Sequence, residues 1–194
     1  MGDALTLPPR FLAVNSLAIE MFTVQTIGMG RDADSDMVDE VLAGWKAARP
    51  DLDPAPLALV GRVLVLARLL EARVEAALEP HRLTLGQFDI LATLRRHGPA
   101  GGLSPTKLMR SVVLSSGGMT TRLDKLAERG LVARTQDEHD RRGVVVSLTP
   151  KGRKLIDAAT DVRFADAAAS LPPLAAVDRA RLEKLLKAWL LAAG

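Results

Sequence analysis

The chain has 194 residues, a formal net charge of +3, no cysteine, and 3% aromatic residues against 48% hydrophobic ones. That length holds one domain with a sizeable core, the core must be aliphatic, and the missing cysteines exclude disulfides, thiolate metal sites and thiol-based redox sensing. Residues 84–150 carry 10 Lys and Arg against 6 Asp and Glu, while the rest carries 16 against 17, a small basic surplus of the kind a nucleic-acid reader shows.

Residues 1–36 read as an N-terminal extension. Pro8 and Pro9 on one side and the stretch 28–36 on the other bracket a short helix at 11–27. Asn15, Ser16, Glu20 and Gln25 interrupt its apolar run, so it is neither a membrane span nor a signal peptide, and a cytoplasmic protein is expected. An internal start at Met37 is an alternative. Residues 37–49 form a helix with Val38, Val41, Leu42 and Trp45 on one side, broken by the prolines of 49–56. A long helix follows at 57–78. Its apolar positions Leu59, Val63, Leu66, Leu70, Val74, Ala77 and Leu78 recur at threes and fours and are expected to face inward, and Arg62, Arg68, Glu71, Arg73 and Glu75 line the other side. Pro80 ends it. Thr84 opens the next helix, 85–97, with Phe88, Leu91, Ala92 and Leu94 inward.

The sharpest local signals come next. Ser104 can cap a short helix at 104–110, with Pro105 at the first helical position. A second helix at 116–129 is capped by Ser115 or Ser116 and closed by Gly130. Two β-branched runs, 131–135 and 144–149, flank a charged tip and read as a hairpin. Pro150 opens another helix that runs into an Ala-rich stretch, and Leu171, Pro172 and Pro173 break it. The last helix carries Val177, Leu182, Leu185, Leu186, Trp189 and Leu190. Such a terminal apolar stripe needs a cover. A partner subunit is favoured over packing within the chain.

Helix, turn, helix and a basic-tipped hairpin make a winged helix-turn-helix, whose second helix can enter a major groove. In that helix Met119, Leu123 and Leu126 fall within about 60° of one another and face the core. Ser116, Gly117, Thr120, Thr121 and Lys125 lie largely opposite, and Gly117 and Gly118 permit close approach to a phosphate. With Lys107 and Ser115, and with Arg141 and Arg142 at the hairpin tip, they form the candidate DNA face. Arg122 sits on the flank of the helix and can point back into the body. Asp89 lies among inward residues and needs a partner, so Asp89 and Arg122 make a natural pair, either as part of a ligand site or as a purely structural salt bridge. Catalysis is not expected. His81, His97 and His139 form no metal-spaced set, and the run 115–118 lacks both the glycine–x–serine–x–glycine pattern of a nucleophile turn and the lysine of a phosphate loop. No cofactor is called for.

Residues 83–156 resemble the MarR family of winged-helix transcription regulators. The most specific part is Asp140-Arg141-Arg142-Gly143-Val144-Val145-Val146-Ser147-Leu148-Thr149-Pro150-Lys151-Gly152, similar to the family's wing signature, and the resemblance extends from about Trp45 to the C-terminus. It implies a homodimer with an α-helical dimerisation region built from both ends of the chain. It also implies binding to a pseudo-palindromic operator in double-stranded DNA, usually with repression relieved by a small ligand, and a wing arginine, Arg141 or Arg142, that reaches the minor groove or the phosphates. The combination of Trp45, Asp89 and Arg122 resembles the urate-responsive, PecS-like branch. There Trp45 would stack on or hydrogen-bond a planar anion, Arg122 would bind its charge, Asp89 would be displaced, and the recognition helix would shift.

The expected fold is mainly α with a small β-hairpin wing (α+β). Residues 1–36 form an extension, 37–83 the N-terminal dimerisation and ligand-pocket helices, 84–150 the DNA-binding region and 151–194 the C-terminal dimerisation helices. The alternative function is a winged-helix protein-interaction module without sequence-specific DNA binding.

Overall fold

The computed structural model describes residues 35–97, 102–111, 118–136 and 143–193. The expected helix at 11–27 lies outside them. The chain divides into two compact units, residues 1–69 and 70–194.

In the first unit, α1 (Met37–Ala48) is set by a reciprocal cap. The Asp36 carboxylate accepts from the Val38 and Asp39 amides at 2.8 and 3.1 Å, and Asp39 accepts from the Asp36 amide at 3.0 Å. Arg62, on α2 (Ala55–Leu78), then pairs with Asp36 at 2.7 Å and with Asp39 at 2.6 Å. The Arg62 guanidinium holds the Asp36 carboxyl below the usual carboxylate range. Asp39 is lowered too, first by the Asp36 amide and then by Arg62. Helix α2 begins before residue 57, because Asp53 accepts from the Ala55 amide at 3.0 Å and Pro56 falls in the first turn, where no helical partner is required of its nitrogen. Leu59 and Leu66 are exposed rather than inward, at 61% and 55%, as is Leu70 at 44%. The threes-and-fours spacing marked an apolar face correctly, but no element among the described residues covers it.

The second unit is built around α3 (Leu85–Arg96). Thr84 and Gln87 cap it reciprocally. Phe88, Ile90, Leu91, Ala92 and Leu94 are buried, and so is Thr93, so this helix is wrapped on most sides. Val74 and Leu78 from the end of α2 join the same core. After α2 comes a 3-10 turn, Glu79–His81, and then Arg82, whose φ of 53° is left-handed. The helices α4 (Pro105–Ser111) and α5 (Met119–Glu128) lead into β1 (Val132–Gln136) and β2 (Val144–Leu148), which pair antiparallel from Val132 opposite Leu148 to Gln136 opposite Val144. Leu103 adds a bridge to Val146, with amide-to-carbonyl distances of 2.9 and 2.8 Å. A single bridging residue has no period and gave no sequence signal.

Helix α6 (Pro150–Ser170) buries Gly152, Ile156 and Ala159, and Arg73 of α2 reaches Asp166 on it at 3.0 Å. In α7 (Ala176–Ala193) Val177, Leu182, Leu185, Leu186, Trp189 and Leu190 are all exposed. No helix among the described residues is long and apolar enough to cross a membrane.

Candidate DNA-binding face

The face is built on α4 and α5. Ser104 accepts from the Lys107 amide at 3.3 Å and so caps α4, Leu108 plugs that helix into the core, and Lys107 is left exposed. Helix α5 buries Met119, Leu123 and Leu126 and turns Thr120, Thr121 and Lys125 outward. It starts later than the sequence indicates. Its N-cap is Gly118 at φ 86°, with no side-chain cap, so neither Ser115 nor Ser116 performs that task. A left-handed residue cannot continue the helix backwards, and glycine takes that conformation without a Cβ penalty. Ser115, Ser116 and Gly117, together with Arg141 and Arg142, lie outside the described residues.

The far end of α5 is held more firmly. The Leu131 amide reaches the Leu126 carbonyl at 2.9 Å and the Gly130 amide reaches Ala127 at 2.8 Å, a Schellman stop with buried Leu126 and Leu131 as its apolar pair. Lys151 donates to the Arg129 carbonyl at 2.7 Å, and the Thr149 hydroxyl donates to Gly130 at 2.7 Å. The same Thr149 oxygen accepts from the Gly152 amide at 2.9 Å and caps α6. The Arg129 guanidinium donates to the carbonyls of Arg82 at 2.6 Å and His81 at 3.1 Å. Asp124 pairs with Arg134 on β1 at 2.6 Å. Sequence reasoning missed Arg129, Thr149, Lys151 and Gly152 as supports of this helix. Three of them stand inside the wing signature, but a signature does not say which backbone each residue will meet.

Arg122 is half-buried and lies along the first turn of α3; a Cβ placed on Gly86 would stand 2.9 Å from its Nε. It lines a hollow of about 580 Å³ with Glu71, Glu75, Thr84, Gln87, Thr121 and Lys125. Asp89 opens into a different hollow of about 620 Å³, between α3 and α6, with Phe88, Arg95, Arg96, Arg163 and Phe164. Burial pushes the Asp89 carboxyl up, and the charges of Arg96 and Arg163 pull the other way. Arg96 and Arg163 line that hollow with Asp89, whereas Arg122 lines the other. Trp45 belongs to the first unit and is 39% exposed. Among the described residues no group of three or more His, Asp or Glu could hold a metal ion.

The comparisons with known proteins fit this geometry. The MarR family model matches residues 83–144. The transcriptional regulator PecS of Dickeya dadantii is 30% identical over 149 residues, which is 77% of this chain and 90% of PecS. The transcriptional repressor Rv2887 of Mycobacterium tuberculosis is 35% identical over 136 residues, covering 70% of this chain and 94% of the repressor. Among solved structures, Bordetella bronchiseptica BpsR, described for regulation of its DNA binding by 6-hydroxynicotinic acid, superimposes with a TM-score of 0.59 at 26% identity, over 67% of this chain and 91% of BpsR. This chain belongs to the MarR family and is a winged-helix, DNA-binding transcription regulator.

Proposed function

We propose that this regulator acts in the cytoplasm as a homodimeric repressor on a pseudo-palindromic operator and is released by a small planar anion such as urate. The observation that carries the reading is the two-sidedness of α5: Met119, Leu123 and Leu126 sit in the core, while Thr120, Thr121 and Lys125 point to solvent. Lys107, Ser115, Ser116, Gly117, Thr120, Thr121 and Lys125 would meet the groove and its phosphates, and Arg141 and Arg142 would extend contact from the wing. The uncovered faces of α2 and α7 support assembly of the helices in 37–83 and 151–194 into a dimer body. Pairing two readers doubles the length of operator recognised. For the effector, Arg122 supplies the charge and a direct link to the recognition helix, while Asp89, which lines a separate hollow, and Trp45 are not assigned to the same contact. The 6-hydroxynicotinic acid response of BpsR supports an aromatic anion as the ligand class.

The test is selection of bound sequences from random duplex DNA at near-physiological salt, with and without urate. A palindromic motif lost on adding urate bears out the whole reading. A motif indifferent to urate and related planar anions removes the assignment of Arg122. Absence of any motif leaves the protein-interaction module as the better account.

A further inference from the structure

We propose that Arg129 is a positioning residue for DNA reading: it straps the end of the recognition helix to the turn that ends α2, and so fixes the angle at which α5 is presented. The inference rests on the DNA-binding reading of α5. Arg129 is the C-cap residue of that helix. Its guanidinium donates to two successive backbone carbonyls, Arg82 at 2.6 Å and His81 at 3.1 Å. Only a planar fork of donors serves both at once. The receiving turn has no slack. Arg82 is the only described residue other than glycine with positive φ, a conformation that a Cβ-bearing residue takes at a cost and that persists where its surroundings enforce it. The Leu83 amide also reaches back to the Leu78 carbonyl at 3.4 Å. The carbonyl of Arg129 is itself held, by Lys151 on α6 at 2.7 Å. One residue therefore joins the end of α2, the end of α5 and the start of α6. If two recognition helices must meet half-sites a fixed distance apart, a strap of this kind sets that distance.

The experiment compares the wild-type chain with Arg129→Gln and Arg129→Lys. Each is put through selection from random duplex DNA, then titrated over a salt series on the wild-type motif and on unselected duplex. Amide exchange is followed over residues 79–83 and 126–131. In the Gln variant, affinity for the wild-type motif is expected to fall about tenfold. Binding to unselected duplex and its salt slope stay unchanged, because no phosphate contact is lost. The selected half-sites keep their letters but lose fixed spacing, and both segments exchange faster together. The Lys variant falls between. A salt slope reduced by about one would mean that Arg129 touches phosphate, which overturns the proposal. Lowered thermal stability with motif and spacing retained would reduce Arg129 to a structural tie, and also overturns it. If the wild type itself selects no motif, the DNA reading fails. Joint exchange of the two segments would then show the strap alone, and its absence would remove that too.

Discussion

Gly152 is the position where one methyl group should do most harm. A Cβ there would lie 1.9 Å from the Leu131 carbonyl oxygen and 2.8 Å from its carbon. Both atoms are backbone, so no side chain can swing aside. Real Cβ contacts essentially never fall below 3.0 Å, so the first turn of α6 must retreat by more than an ångström from the junction of α5 and β1. Overpacking of this kind costs about 1–3 kcal/mol. The retreat also stretches the Thr149 amide's bond to Leu131, now 3.1 Å, and the Thr149 cap on Gly152, now 2.9 Å, and losing a cap costs about 1 kcal/mol. The better helix propensity of alanine returns up to about 1 kcal/mol. The net expectation for Gly152→Ala is a loss of about 1–4 kcal/mol, or a Tm lower by roughly 2–16 °C for a chain this size. Thermal unfolding at one fixed protein concentration measures it, since assembly shifts apparent Tm. The matched control is Gly44→Ala. That glycine is helical and a Cβ on it meets nothing within 4 Å, so Tm should hold or rise. A Gly152→Ala Tm within about 1 °C of wild type would refute the close approach of α6 to Leu131.

Three further outcomes follow from the electrostatics and the exposed faces. Because the folded-state values of Asp36 and Asp39 lie below the ordinary carboxylate value of 3.8, their contribution is complete above that pH and is lost as pH falls from it through the lowered folded-state values. Amide exchange in α1 should therefore accelerate below about pH 4, and Arg62→Gln should make α1 exchange faster already at pH 7. Asp89 has the opposite sign, since burial raises it. Its charged form disfavours the fold once pH exceeds the unfolded value, so Asp89→Asn should raise Tm at pH 7 with a gain that shrinks toward pH 4. An Asn variant less stable than wild type at pH 7 would mean that the carboxylate has a partner in the working assembly. Leu186→Glu, on the uncovered face of α7, should leave helicity intact and convert dimer to monomer in sedimentation; an unchanged mass would place the dimer contact elsewhere.

The elements that sequence reasoning placed correctly are those whose signals are local. Thr84 before α3, Pro105 at the start of α4, Gly130 past the end of α5 and Pro150 at the start of α6 each act within a few residues of themselves, and the structure has all four. Periodicity worked for α3 and α5 because a neighbouring layer of the same chain covers the face it marks. It misled for Leu59, Leu66 and Leu70, because spacing reports that a face is apolar and not what lies against it. The start of α5 was lost differently. Ser115 and Ser116 have good capping chemistry, yet Gly118 closes the turn in a left-handed conformation, and a backbone angle outweighs a side-chain preference.

The site was less legible for the same reason. The outward side of α5 follows from a helical wheel, and the wheel needs only the helix. The support behind it does not, because Arg129 reaches 47 residues back to Arg82 and Lys151 reaches 22 residues back to Arg129. Asp89 and Arg122 illustrate the limit from the other side. Each was identified from its own helix as a charged residue turned partly inward, and pairing them was the simplest closure. The fold instead gives Asp89 the charges of Arg96 and Arg163 and lays Arg122 against Gly86. Two inward-facing charges on different helices share a site only if the angle between those helices brings them together.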